Sequence, residues 1–314
     1  MLRRDFLARL TAGTASMAWG GVESAFAYKR NKHNTPSPPP KLERIAVSTS
    51  SLRNYFRATR ESGFDLPGSM LALLDFPEMI VARYQVHHFE FCTPHFASTE
   101  PAYLQEIKHI LRRTHATIVN MSVDIEECGS EGTFSDPDRE TRSAALDAVK
   151  RWVDVAHALS VKSVSVGPGA VDPDDLAPTV ESYKGLATYA QARGVHVSVE
   201  NQSALGAEHP ELLIKLFRLA GPGCIGALPD FADFADEPTR EKGLKMLFAC
   251  MPMVCHATGL EFGPDGAEMG YDFPQAVAIA KKAGFRGVYS IEFDGPGDPY
   301  AGIQKTLDEL LRYL

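Results

Sequence analysis

Four residues in the C-terminal half could together build a metal-assisted acid–base site: Glu200, Asp230, His256 and Glu292. They are separated by 30, 26 and 36 residues, each about one strand–loop–helix unit. Each ends a short, mainly apolar run: Val195–Val199, Ile225–Pro229, Met253–Cys255 and Val288–Ile291. Singly, a carboxylate at a strand end is usually a solvated loop residue or a helix cap, and a lone histidine is usually packed or exposed. Four at equivalent places in successive units are a different matter. Three carboxylates brought together raise one another's pKa unless a cation neutralises them. Oxygen donors with one imidazole suit one divalent metal, Mn²⁺ first, with Mg²⁺, Co²⁺ or Zn²⁺ as alternatives. Such a site carries −3 + 2 = −1 and leaves positions for a hydroxy-carbonyl substrate or water.

The elements that must position these residues follow a repeating rhythm of short β-branched run, loop and helical pattern. Expected strands are Arg44–Thr49, His87–Phe91, Thr117–Val123, Ser163–Val166, His196–Glu200, Cys224–Pro229, Met253–His256 and Gly287–Glu292. The clearest helix is Thr141–Ser160, where Leu146, Val149, Val153, Ala156 and Leu159 recur at helical spacing, with Ser135-Asp136-Pro137 upstream as cap. Gly194 and Gly284 follow helical patterns as C-terminal caps, and Gly302–Leu314 is the last helix. Alternating strands and helices imply a parallel sheet covered on both faces. Eight such units in about 270 residues fit an α/β fold of one (β/α)8 TIM barrel, whose chemistry collects at the C-terminal ends of its strands. A doubly wound sheet is the runner-up, but Ser48-Thr49-Ser50-Ser51 stands where a glycine-rich fingerprint would follow the first strand.

Composition narrows the partners. The 314 residues are 44% hydrophobic and 23% charged, with no apolar run long enough to span a bilayer. A formal charge of −8 repels phosphate backbones, so nucleic acid is not an expected partner. The cysteines Cys92, Cys128, Cys224, Cys250 and Cys255 form no zinc spacing and no disulfide framework. Arg3-Arg4-Asp5-Phe6-Leu7, a weakly apolar stretch Leu10–Gly21 and Ala25-Phe26-Ala27 resemble a twin-arginine export signal over residues 1–27. That signal implies the export machinery as a partner and a periplasmic or other extracytoplasmic location. Residues 28–41 read as a proline-rich linker and residues 42–314 as the barrel. Removing the signal, net +1, leaves −8 − 1 = −9.

The barrel resembles the xylose-isomerase-like superfamily of sugar isomerases and epimerases, which includes ketose 3-epimerases, inosose dehydratases and the endonuclease IV branch. The resemblance covers residues 42–314 and rests on Val199-Glu200-Asn201, Pro229-Asp230, His256 and Ser290-Ile291-Glu292-Phe293. Softer marks are Ala156–Ser160, Val164–Gly169 and Ile45–Thr49. It implies one divalent metal held by Glu200, Asp230, His256 and Glu292, with Glu200 and Glu292 as the catalytic acid–base pair. Chelation of a carbonyl and its neighbouring hydroxyl acidifies the carbon between them, and a carboxylate on each face can move its proton through an enediolate. Against the ketose 3-epimerase pattern, Asp233 stands for a histidine, Phe262 for an arginine and Gly206 for a glutamate. The additional histidines of the endonuclease branch are lacking.

Further substrate contacts are read at His95, Asp233 and Glu261. Glu90 is read as facing either the barrel interior or a helix, and Asn120 and Asp124 as loop-type residues. Gly167-Pro168-Gly169 is a tight turn, Trp152 is core, and Phe231, Phe234 and Phe293 either wall a pocket or pack the rim. No arginine or lysine stands just after the seventh or eighth strand to grip a phosphate, although Lys41, Arg53 or Arg57 could reach one. The expected function is an exported, metal-dependent isomerase or epimerase of a small sugar or sugar derivative. The alternatives are a lyase or dehydratase acting on a keto-sugar or keto-glycoside, and a sugar-binding barrel without catalysis. No interface for an oligomer is identifiable, although relatives commonly form them.

Overall fold

The computed structural model describes residues 41–65, 68–125, 132–202 and 206–314. The chain divides into Met1–Ser37 and Pro38–Leu314. The expected export signal, nearly all of the linker, and Cys128 lie outside the described residues.

Eight strands form one parallel sheet: β1 Ile45–Ser48, β2 His88–Cys92, β3 Thr117–Val123, β4 Ser163–Val166, β5 His196–Glu200, β6 Gly226–Leu228, β7 Val254–Gly259 and β8 Val288–Phe293. Helices alternate with them: α1 Phe76–Tyr84, α2 Pro101–Thr114, α3 Arg139–Ala158, α4 Ala177–Gln191, α5 Pro210–Ala220, α6 Glu237–Phe248, α7 Phe273–Lys282 and α8 Pro299–Tyr313. The strand order β6-β5-β4-β3-β2-β1-β8-β7 leaves β6 and β7 as its two ends. A single bridge between Asp230 and His256 joins them. His256 N–H donates to Pro229 O (2.8 Å), and Phe231 N–H donates to His256 O (3.1 Å). This is a (β/α)8 TIM barrel.

Local chemistry explains much of this alternation. Seven of these helices, all but α3, carry proline at the first or second position, where fixed φ helps and no N–H is needed. In α3 the cap is Asp138, whose carboxylate accepts Thr141 N–H at 2.7 Å, rather than the expected Ser135-Asp136-Pro137. Gly194 and Gly284 have φ of +68° and +77° just after α4 and α7, so both close their helices as expected. Strands β3, β4 and β5 have the expected limits, while β6 is shorter and β7 runs three residues further, to Gly259.

The apolar core lies between strands and helices, with Phe76, Phe89, Phe91, Phe231, Phe248, Phe273 and Tyr289 all buried. Phe76 meets Phe89 and Phe91 edge-on, and Phe231 meets Phe248, Phe273 and Tyr289 likewise. The inward face is different. It carries a buried polar set that includes Glu90, Asn120, Ser165 and His256.

Candidate metal centre

Glu200 ends β5, Asp230 follows β6 by two residues, His256 is the third residue of β7 and Glu292 the fifth of β8. The barrel closure turns these four neighbouring strands inward, and one ligating atom from each residue lies within 4.8 Å of all the others. His256 Nδ1 is the centre of the group. It is 2.6 Å from Glu200 Oε1, 3.6 Å from Asp230 Oδ2 and 3.7 Å from Glu292 Oε2. The His256 and Asp230 side chains are almost wholly buried, whereas Glu200 and Glu292 keep 14% and 12% of their side-chain surface open toward solvent. Two carboxylates therefore face an entrant molecule, and two groups lie beneath them.

These spacings fit a divalent cation. Oxygen and nitrogen donors about 2.1 Å from an octahedral ion are about 3 Å apart when adjacent and about 4.2 Å when opposite. The donor set, three carboxylates and one imidazole, suits a hard or borderline ion.

The electrostatics also call for a cation. Burial works against charge on His256, but the carboxylates of Glu292, Glu90 and Glu200 outweigh it and hold the imidazole protonated well above its ordinary range. Burial pushes Glu292 well up, the charges of Glu200, Glu90 and Asp230 add to the rise, and the charge of His256 opposes it. Burial also raises Glu200, against the pull of His256. The imidazolium is the positive charge that now partly balances this cluster.

Residues 80–313 match the family described as Xylose isomerase-like TIM barrel. The chain belongs to that family. No curated protein matches it. Solved structures share the fold at low identity. A D-allulose 3-epimerase from Methylomonas sp. is 14% identical with a TM-score of 0.63, over 86% of this chain and 98% of that one. A xylose isomerase-like TIM barrel protein from Mycobacterium smegmatis, solved in complex with magnesium, is 14% identical with a TM-score of 0.60, over 85% and 95%. The IOLI protein, solved with a zinc atom, is 14% identical with a TM-score of 0.65, over 86% and 99%.

In this member of the xylose isomerase-like barrels, the neighbours of the four residues are fixed by hydrogen bonds. Asn201, fully buried beside Glu200, accepts Asp230 N–H at 2.6 Å and donates to Asp230 O (3.2 Å) and Asp233 O (2.8 Å). The end of β6 is thereby tied to the end of β5. Asp230 Oδ1 accepts Ala232 N–H and Asp233 N–H, and Oδ2 accepts Thr258 Oγ1–H at 2.5 Å. Nothing in the run Val199-Glu200-Asn201 marks Asn201 for this clamping role.

Glu90 faces the barrel interior, and its carboxylate lies 3.0 Å from His256 Nε2, on the far side of the ring from the other carboxylates. Asn120, expected in a loop-like position, is fully buried instead, because β3 runs through it and turns it into the barrel. Its Nδ2 donates to Glu90 Oε1 at 2.6 Å and to Ser165 Oγ at 2.9 Å. No spacing rule in the sequence could distinguish an inward Glu90 from one packed under a helix.

The expected substrate contacts separate. Asp233 is half-buried beside the quartet, and burial, then the charges of Asp230 and Glu200, push it up to about 8. His95 is buried, stacked on Phe56 at 3.8 Å, with Nε2 2.9 Å from Thr59 Oγ1. Glu261 is exposed on the turn after β7, where its backbone N–H donates to Glu268, so the structure does not bring its side chain into the cluster. Asp124 is exposed, with its N–H bonded to Thr93 Oγ1. Phe262 stacks against Phe293, with Phe262 beside Gly259 and Phe293 beside Gly302. Phe231 is core, and Phe234 packs against Gly243. Among the cations, Lys41 donates to Leu311 O, Arg53 pairs with Asp294 and Glu61, and Arg57 is exposed.

Proposed function

We propose that the protein is a divalent-metal-dependent isomerase or epimerase of a sugar or sugar derivative, with Mn²⁺ as the favoured ion. The observation that carries this reading is the convergence of Glu200, Asp230, His256 and Glu292 around one point. A divalent cation bound there supplies Lewis acidity to a substrate carbonyl and its neighbouring hydroxyl, which acidifies the carbon between them. Asp230 and His256, the two buried groups, would hold the ion. Glu200 and Glu292, the two accessible carboxylates, would also take the proton from that carbon on one face and return it on the other. The raised Glu200 and Glu292 sit closer to neutrality than ordinary carboxylates, as a proton-exchanging pair requires.

The substrate we favour carries no phosphate. Arg53 is engaged by Asp294 and Glu61, and the uncharged Phe262 is packed against Phe293. The twin-arginine reading of residues 1–27 agrees, since an exported enzyme meets few free sugar phosphates. Asp233 favours a second reading, a lyase acting on a keto-glycoside. A carboxyl pushed up to about 8 keeps its proton at neutral pH and can give it to a departing oxygen.

The test is a solvent-deuterium exchange screen over sugars and keto-glycosides with Mn²⁺ supplied. Deuterium incorporation without elimination, abolished in Glu200→Gln and Glu292→Gln, is the expected result. Loss of a leaving group would favour the lyase. Tight sugar binding with neither exchange nor turnover would refute catalysis and leave a binding module.

A further inference from the structure

His256 is gripped from both sides, and the two grips differ in kind. Its Nδ1 faces Glu200, Asp230 and Glu292, the three carboxylates that complete the candidate cation site. Its Nε2 faces Glu90, 3.1 and 3.0 Å from the two oxygens. Glu90 stands outside the ligating set, and it is fully buried on β2, far in sequence from the ligand-bearing strands. A carboxylate in the interior of a barrel is costly to keep unless something specific uses it.

An imidazole that binds an ion through one nitrogen must carry a proton on the other, and the partner of that proton decides which nitrogen is free. Glu90 is an acceptor with two oxygens spanning Nε2. It is itself held: Asn120 Nδ2 donates to Glu90 Oε1, and the same amide donates to Ser165 Oγ on the next strand. The chain Ser165–Asn120–Glu90–His256 therefore runs across the interior from β4 through β3 and β2 to β7. It links the N-terminal half of the barrel to the candidate site in the C-terminal half.

We propose that Glu90 is a positioning residue: held by Asn120, it accepts the Nε2–H of His256, fixes the ring and leaves Nδ1 as the nitrogen that binds the cation. The proposal rests on the metal-centre reading and adds a residue outside the ligand set. Asn120 is assigned the supporting role of holding the Glu90 carboxylate in register with the ring.

Two measurements with Zn²⁺ alone, a diamagnetic probe, test it. In the wild-type protein labelled with ¹⁵N-histidine, the Zn²⁺-loaded His256 ring should show a protonated Nε2 and a metal-bound Nδ1. The opposite assignment overturns the proposal whatever the variants do. In calorimetric titration, Glu90→Gln should weaken Zn²⁺ binding about 10- to 100-fold, with Glu90→Asp intermediate, at unchanged far-ultraviolet circular dichroism. Wild-type affinity in a folded Glu90→Gln protein also overturns it. A wild-type protein that binds no Zn²⁺ would instead sink the metal-centre reading beneath it.

Discussion

At the scale of single residues, the site is a problem in proton accounting. His256 is held protonated between Glu200 and Glu90, and burial with neighbouring charge keeps Glu292 protonated far above the usual carboxylate range. A cation at this point must displace the Nδ1 proton and claim the Glu292 carboxylate, so binding releases protons. Affinity is therefore expected to rise with pH, about tenfold per unit for each proton released. Mn²⁺ titrations at pH 6, 7 and 8 check this, and a flat affinity would contradict proton displacement. Asp233 has the opposite bearing on the metal-free fold. Its pKa is raised from 3.8 to about 8, so the unfolded chain gives up that proton first, and stability falls as pH rises between those values. Asp233→Asn should stabilise the metal-free protein at pH 7.5 by about 1–3 kcal/mol and by much less at pH 5. Chemical denaturation at the two pH values measures the difference. The quartet was legible because its members recur one unit apart at strand ends. Glu90 was not, because Phe89-Glu90-Phe91 says only that the carboxylate faces away from two phenylalanines. Whether that other face is solvent, helix or barrel interior is decided by closure of the whole sheet.

At the scale of elements, the positions of the side chains depend on how strands end and what ties the ends together. The limits of β3, β4 and β5 could be read from their β-branched runs. The end of β7 could not, because Ala257-Thr258-Gly259 is a weak strand sequence. It is held in the ladder by β8, where Thr258 pairs with Glu292 and Gly259 with Phe293. That extension sets Thr258 two residues beyond His256, where its hydroxyl reaches Asp230. Asn201 performs the equivalent task between β5 and β6. Asn201→Ala removes hydrogen bonds to Asp230 N, Asp230 O and Asp233 O in a buried place. It should cost about 2–4 kcal/mol and loosen cation binding as well, read by thermal unfolding and metal titration. Unchanged stability would show that the clamp is redundant. The segment after β1 is fastened differently, by the stack of Phe56 on His95 and the Thr59–His95 bond. Burial pushes the His95 imidazole down to about 3, so the folded ring stays neutral, while the unfolded one gains a proton below about pH 6.5. Stability from this residue is whole above pH 6.5 and is lost as pH falls, on the order of 2–3 kcal/mol by pH 4.5. His95→Phe should flatten that acid-side loss in urea denaturation, and an unaltered pH dependence would sink the assignment.

At the scale of the molecule, the candidate cation site and the closing seam of the barrel are the same place. The bridge that joins β6 to β7 runs between Asp230 and His256, two of the four converging residues, and it is one bridge where other strand pairs share three or more. Without a cation, the carboxylates gathered at that seam oppose closure, and among the described residues the imidazolium of His256 is the positive charge set among them. A bound divalent ion would replace repulsion with four bonds that span β5 to β8. The protein should therefore be measurably more stable when loaded than when stripped with a chelator. With free ion at about 100 times its dissociation constant, mass action contributes about 2.7 kcal/mol. For a chain of this size that is a rise in Tm of roughly 4–5 °C. The rise should vanish in Asp230→Asn and shrink in Glu90→Gln, because the first removes a donor and the second only loosens the ring that carries one. Thermal unfolding of the three proteins, chelated and with graded Mn²⁺, separates these outcomes. A wild-type Tm that ignores Mn²⁺ up to millimolar concentration would mean that the seam closes on its own hydrogen bonds and that the imidazolium, rather than a metal, is the charge the four residues were gathered to hold.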